Sequence, residues 1–166
     1  MKKTDGYPAV NRILSDPVYR EYIEKNKKAE KDRIFCHHDI GHFLDVARIA
    51  VILNLKEGYG IDEQLIYAAA LLHDIGRWKQ YETGEDHAAV SALLAGPILS
   101  SCGFFDEDSD LIISAISTHR DKNVKDDKTL NGLLYRADKL SRACFSCDAK
   151  KLCDWKKDKK NLTLKI

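Results

Sequence analysis

Residues 65–76 read LIYAAALLHDIG. An almost unbroken apolar run over 65–72 leads directly into His73 and Asp74. A helix this apolar is buried on most sides, yet it ends by delivering an imidazole and a carboxylate. An unpaired carboxylate in a protein interior is strongly unfavourable, even after relaxation. Its compensation must therefore come from elsewhere in the chain.

Outward from this stretch, apolar residues recur at helical spacing almost throughout, and strand signals are scarce. The pattern predicts an all-α fold: one compact bundle of about six helices with a short cysteine-rich and basic C-terminal extension. Ser15-Asp16-Pro17 start a first helix, which runs into the charged stretch 24–33. Proline is tolerated there because its missing N–H has no helical partner anyway. Asp39 caps a second helix with the stripe Phe43, Val46, Ala47, Ala50 and Leu53, stopped by Gly58 and Gly60. Asp62 caps the third, which ends near Gly76. Thr83 or Glu85 begins a fourth, kinked or ended by Gly96-Pro97. Acidic residues 106–110 open a fifth, 121–128 form a charged loop, and a sixth runs from about Leu130 to Ala143. The chain divides into an N-terminal helical segment packing on the core (1–33), a central domain (34–143) and the extension (144–166).

The bulk properties exclude several classes. A chain of 166 residues suits one domain. A formal net charge of +1 provides no global attraction to nucleic acid or to a membrane surface. The N-terminus, MKKTDGYPAV, has no apolar leader core, and the 65–72 run is far too short to span a bilayer. The expected location is the cytoplasm. There the five cysteines stay reduced, as free thiols or metal ligands.

Other polar residues share the placement of His73 and Asp74. His42 lies on a stripe with Val46, Ile49 and Leu53, and His87 on one with Val90, Ser91 and Leu94. His119 closes the stripe Ile112, Ala115, Ile116, and Asp138 follows Leu130 and Leu134 at four-residue steps. Each alone reads as an ordinary core histidine or a hydrogen-bonded aspartate. Several helices delivering such residues from apolar faces have a more economical common cause. A divalent cation neutralises carboxylates and takes neutral imidazole as a ligand.

The ordered set His42, His73-Asp74, His87, His119 and Asp138 resembles the HD superfamily of metal-dependent phosphohydrolases. The contexts are HFLDVARIA, LLHDIG, HAAVSALLAGPIL, AISTHRD and LYRADKL, and the resemblance covers about residues 33–143. It looks closest to bacterial HD proteins that hydrolyse diadenosine tetraphosphate. The GYP signature of the cyclic-di-GMP phosphodiesterases is absent, because Arg120-Asp121-Lys122 follow His119. The resemblance implies that His42, His73, Asp74 and Asp138 hold one metal and that His87 and His119 hold a second, bridged by Asp74. It implies iron or manganese in preference to zinc, cobalt or nickel. It further implies hydrolysis of a phosphoester or phosphoanhydride, in a small phosphorylated substrate such as a nucleotide, by a metal-bound hydroxide. Two alternatives share these residues: a diiron oxygenase and a non-catalytic, metal-stabilised binding module.

Phosphate needs cations. Arg77 lies four residues past His73, Lys139 adjoins Asp138, and Arg120 follows His119, so these three join Asp74 as candidate catalytic residues. Arg142, Lys122 and His38 are weaker candidates for the same pocket.

The remaining motif is Cys144-Phe145-Ser146-Cys147 followed by Cys153, a C-x2-C-x5-C spacing one ligand short of a set. Cys36 precedes His42 by six residues and Cys144 follows Asp138 by six. If His42 and Asp138 share a metal on antiparallel helices, both cysteines lie toward one end. Cys36, Cys144, Cys147 and Cys153 are thus candidates for a zinc or iron–sulfur site; otherwise they are free thiols. Cys102 reads as a loop or core thiol. The lysines around Trp155 read as a solvated end, and no nucleic-acid partner is expected.

Overall fold

In the computed structural model, which describes residues 6–166, the chain forms eight α-helices. They are α1 (Pro8–Ser15), α2 (Pro17–Ala29), α3 (Ile40–Glu57), α4 (Glu63–Leu72), α5 (Arg77–Thr83), α6 (His87–Ser101), α7 (Asp106–Thr118) and α8 (Leu130–Leu140). No strand occurs among the described residues. The expectation of a leaderless N-terminus rests in part on residues 1–5, which lie outside them.

Aspartate side chains set several helix starts. Asp16 accepts from the N–H groups of Val18 and Tyr19, Asp39 from His42, Asp62 from Gln64 and Asp86 from Ala89. Each satisfies an N–H that the helix cannot. Asp106, Glu107 and Asp108 fill the first turn of α7, where the helix dipole favours negative charge. Gly58 ends α3 in the left-handed conformation.

The structure corrects the six-helix expectation in four places. Helix α1 precedes the predicted first helix; Asp16 is extended, as a residue before proline must be, and it separates α1 from α2. A separate short helix, α5, follows Gly76, and the next helix starts at His87 rather than at Thr83 or Glu85. Pro97 does not end α6, because its ring and Leu93 both lie on the exposed side, where a lost N–H donor is tolerated. Helix α8 stops at Leu140, short of Ala143. There the Asn161 side-chain amide donates to the carbonyls of Lys139, Leu140 and Arg142.

Helix α4 is the axis of the core. Ile66, Ala68, Ala69, Ala70, Leu71 and Leu72 are all at most 1% exposed. The alanines let α3, α7, α8 and α1 approach closely around it. Helix α6 lies on α7, and α5 bridges α6 and α2. Ala9, Val10, Ile13 and Tyr19 from α1 and α2 belong to the same hydrophobic core as the central helices. This packing turns the C-terminal end of α4 inward.

Candidate metal centre

Helix α4 stops at Leu72, and residues 73–76 form a turn before α5. Three contacts hold that turn. The Asn26 amide donates to the Asp74 carbonyl at 2.9 Å, and the Trp78 N–H donates to Asn26 Oδ1 at 2.8 Å. The Gly76 N–H donates to Ser91 Oγ at 2.9 Å. A Cβ on Gly76 would lie 2.7 Å from Val90 Cγ1 and 2.8 Å from the Ser91 nitrogen, so helix α6 can approach only a glycine here. The clamped turn presents the Asp74 carboxylate to the middle of the bundle.

Imidazoles surround that carboxylate on both sides. Asp74 Oδ1 is 3.1 Å from His87 Nε2 and 3.5 Å from His119 Nε2. Its Oδ2 is 3.2 Å from His73 Nε2 and 3.8 Å from His42 Nε2. Asp138 Oδ1 faces the second pair, at 3.6 Å from His42 Nε2 and 3.9 Å from His73 Nε2. Two triads result, His42/His73/Asp138 and Asp74/His87/His119, each with one ligand atom per residue within 4.8 Å of the others. Five helices or helix ends bring these six residues together: the start of α3, the end of α4 and its turn, the start of α6, the end of α7, and α8.

The Nδ1 side of every ring is also occupied. His73 Nδ1 lies 2.7 Å from the Ala70 carbonyl and His119 Nδ1 lies 2.6 Å from that of Ile116. His87 Nδ1 is 2.8 Å from Gln80 Oε1, and His42 Nδ1 is 3.4 Å from Ser141 Oγ. For His42, His73 and His119, an N–H on Nδ1 facing an acceptor leaves Nε2 with its lone pair toward the carboxylates, whereas His87 Nδ1 faces the Arg77 guanidinium as well as Gln80. His38 repeats the pattern beside the six: Nδ1 is bonded to Glu30, and Nε2 is 3.8 Å from Asp74 Oδ2.

Charge follows this geometry. Burial alone would raise the pKa of Asp74, but the His73 and His38 charges outweigh it and hold the carboxyl well below its usual range. For Asp138 burial is likewise outweighed, by Lys139 and then His73. Burial, reinforced by His73, pushes His42 down to about 4, and burial also lowers His87. His73 is the exception: burial pulls it down, but Asp74 and Asp138 raise it above the ordinary value. Glu30, 2% exposed, is lowered to about 2 because bonds from His38 and Tyr81 overcome the effect of burial.

These donors fit a divalent cation. His42 Nε2, His73 Nε2 and Asp74 Oδ1 are buried without a hydrogen-bond partner, three of five such side-chain atoms among the described residues. All three point into the same space. Unpartnered buried polar atoms are costly, and a cation that accepts their lone pairs removes the cost.

A cleft of about 470 Å³ opens onto the centre. Arg77, Arg120, Lys139 and Arg142 all line it. Arg77 arrives by a route the sequence did not suggest. The helix breaks between His73 and Arg77, so they share no helical face, yet Arg77 Nη1 lies 2.8 Å from His87 Nδ1. Lys139 Nζ donates to Asp138 and, at 3.2 Å, to the His119 carbonyl. Arg120 is exposed and paired with Asp86 at 2.6 Å. Arg142 lies over the Trp155 ring at 3.9 Å. Lys122 is exposed and does not line the cleft.

The structure adds Asn26, Glu30, Gln80 and Ser141 to what the sequence suggested. Asn26 had a signal: it continues the inward stripe of Tyr19, Tyr22 and Ile23 on α2. Glu30 had none, because it lies among exposed charges.

Cys36, Cys144, Cys147 and Cys153 line a second pocket of about 210 Å³ beside the cleft. They form no group of three with sulfurs within 4.8 Å. Cys102 is buried at the end of α6. The lysines of the extension are exposed except Lys160, which donates to the Cys153 carbonyl at 2.7 Å. No helix among the described residues is long and apolar enough to cross a membrane.

Fold and centre together define an all-helical, hydrolase-like domain built around a buried His/Asp metal-binding cluster. The HD domain model matches residues 39–143, and the chain belongs to the HD-domain family. An uncharacterised protein of Clostridium beijerinckii is 45% identical over 154 residues, which is 93% of this chain and 96% of that one. Ribonuclease Y of Enterococcus faecalis is 31% identical over 104 residues, covering 63% of this chain but 18% of that enzyme. The crystal structure of a predicted HD superfamily hydrolase from an uncultured Thermotogales bacterium is similar, with a TM-score of 0.62 and 27% identity. That match covers 92% of this chain and 87% of the other.

Proposed function

We propose that this chain is a metal-dependent phosphohydrolase with a two-metal centre, acting on a nucleotide. The observation that carries it is Asp74, whose two oxygens face different imidazole pairs, as a bridging carboxylate must. His42, His73, Asp138 and Asp74 Oδ2 would hold one cation, and His87, His119 and Asp74 Oδ1 the other. When bound, such a pair supplies an activated water and a Lewis acid for in-line displacement at phosphorus. The mixed imidazole and carboxylate set suits iron or manganese.

The chain's own groups prepare that chemistry. Ala70, Ile116, Gln80 and Ser141 fix the ring orientations, so no reorganisation is needed when a cation arrives. Two ionised carboxylates only half-neutralise two dications, which leaves positive charge for an anionic substrate. Arg77 and Lys139 stand beside the centre to take phosphate oxygens, Arg77 as a fork and Lys139 as a point charge. Phe35 and Trp155, which line the same cleft, provide flat apolar surface for a base. A dinucleoside polyphosphate fits the family branch that the motif contexts resemble.

The test is a panel of mono- and dinucleoside polyphosphates with manganese or ferrous iron. Phosphate or nucleotide product should appear, and disappear with chelator. Oxygen uptake without any hydrolysis would transfer the centre to the diiron oxygenase alternative.

A further inference from the structure

Residues 144–166 present a stability problem. They form only short 3-10 turns, at Cys144–Ser146, Asp148–Lys151 and Lys157–Lys159. Only Ala149 and Asn161 in this segment are buried, while Phe145, Leu152 and Leu164 are exposed. So little apolar burial does not repay the entropy of ordering the segment. Asn161 on the end of α8 and Trp155 on Arg142 tie it to the domain.

The same segment supplies three of the four cysteines around the second pocket; the fourth, Cys36, comes from the loop before α3. We propose that Cys36, Cys144, Cys147 and Cys153 hold a [4Fe–4S] cluster that fastens the extension to the wall of the cleft. Four thiols, one from a distant part of the chain, complete an all-cysteine ligand set. Their spacing favours a cluster over a single ion. Four thiolates on one tetrahedral zinc lie about 3.8 Å apart, given Zn–S bonds of about 2.3 Å. Here no three sulfurs come within 4.8 Å of one another, and all four cysteines line a space of about 210 Å³. A cubane with an iron at each of four corners separates its thiolates more widely than a single ion does. Lys150 and Lys160 line the same pocket and offset the negative charge of four thiolates. Cys36, Cys144 and Cys153 line the catalytic cleft as well, so the cluster sits at its edge.

The experiment uses the full chain, purified without oxygen and reconstituted with ferrous iron and sulfide. Acid-labile sulfide is the decisive readout, because iron at the His/Asp centre brings none. About four sulfides per chain, with broad visible absorption, are expected. Both should be lost in Cys36→Ser and Cys147→Ser and kept in Cys102→Ser and Asp74→Ala. The wild-type chain provides a second test that does not depend on folded variants. Alkylation followed by mass spectrometry should find the four cysteines protected when loaded and reactive after the cluster is removed. Absence of sulfide after reconstitution, sulfide unchanged in the two variants, equal alkylation in both states, or one zinc bound by the four thiolates would each overturn the proposal.

Discussion

The His/Asp centre and the cysteine pocket lie side by side but are built in opposite ways. The first is buried in the bundle, its donor atoms within 4.8 Å of one another in each triad and its rings oriented by hydrogen bonds to carbonyls and side chains. The second lies at the surface, where the thiols stand apart and the backbone around them has little core of its own. A site that packing assembles is ready before its ligand arrives. A site on a weakly packed segment needs its ligand to complete the structure, and binding free energy then becomes folding free energy.

Four measurements break or sharpen that contrast. The largest effect is expected for Asp74→Ala, which removes the bridge between the two triads. Hydrolysis should fall roughly 100- to 1,000-fold or more, and metal content should fall with it, while circular dichroism shows a folded chain. Preserved turnover would show that the centre does not work as a unit.

Next is the acid limb of stability. Glu30 titrates at about 2 in the fold against an ordinary 4.5. Its contribution is therefore complete above pH 4.5 and lost as pH falls toward 2. The contribution is at most roughly 3 kcal/mol. Chemical denaturation of Glu30→Gln should show a flatter stability profile in that window and lower stability above it. An unaltered profile would mean that the Glu30–His38–Tyr81 contacts do not support the centre.

Gly76→Ala should cost about 1–3 kcal/mol, because the new methyl group meets Val90 and the Ser91 backbone. Equilibrium denaturation reads this directly. A neutral result would mean that the turn carrying Asp74 is looser than the packing of α6 against it indicates. Smallest is Trp155→Ala in the extension. It should raise KM about 10-fold with kcat within about 2-fold, the loss of one base-stacking surface. An equal fall in kcat would place the extension in the chemistry rather than in substrate binding.

Much of the fold is legible in the chain because helix starts are local. Asp39 and Asp62 cap the helices they were expected to cap, and Asp16 caps the helix that Ser15-Asp16-Pro17 were expected to start, since an aspartate bonding to N–H groups two or three residues ahead needs nothing distant. Asp86 is harder to read, for it lies in a run of polar residues with several equivalent capping candidates. Helix α5 was missed because its seven residues bury no side chain fully and leave no apolar stripe.

The candidate site divides in the same way. His42, His87, His119 and Asp138 stand out in the sequence because a polar residue on an apolar stripe is visible from spacing alone. Arg77 shows the limit of such spacing, since the turn at 73–76 breaks the helical face assumed for it. Glu30, Gln80 and Ser141 orient imidazoles on other elements of the fold, and nothing local marks them out.

The chain by itself determined the all-helical class, most of the helix starts, and which imidazoles and acids face inward, because periodicity and capping act over a few residues. Tertiary structure alone decided that the two oxygens of Asp74 face different histidine pairs, which side chains orient the rings, and that four cysteines share one pocket. Those relations join segments up to about a hundred residues apart, and only the packing of the helices around α4 determines them.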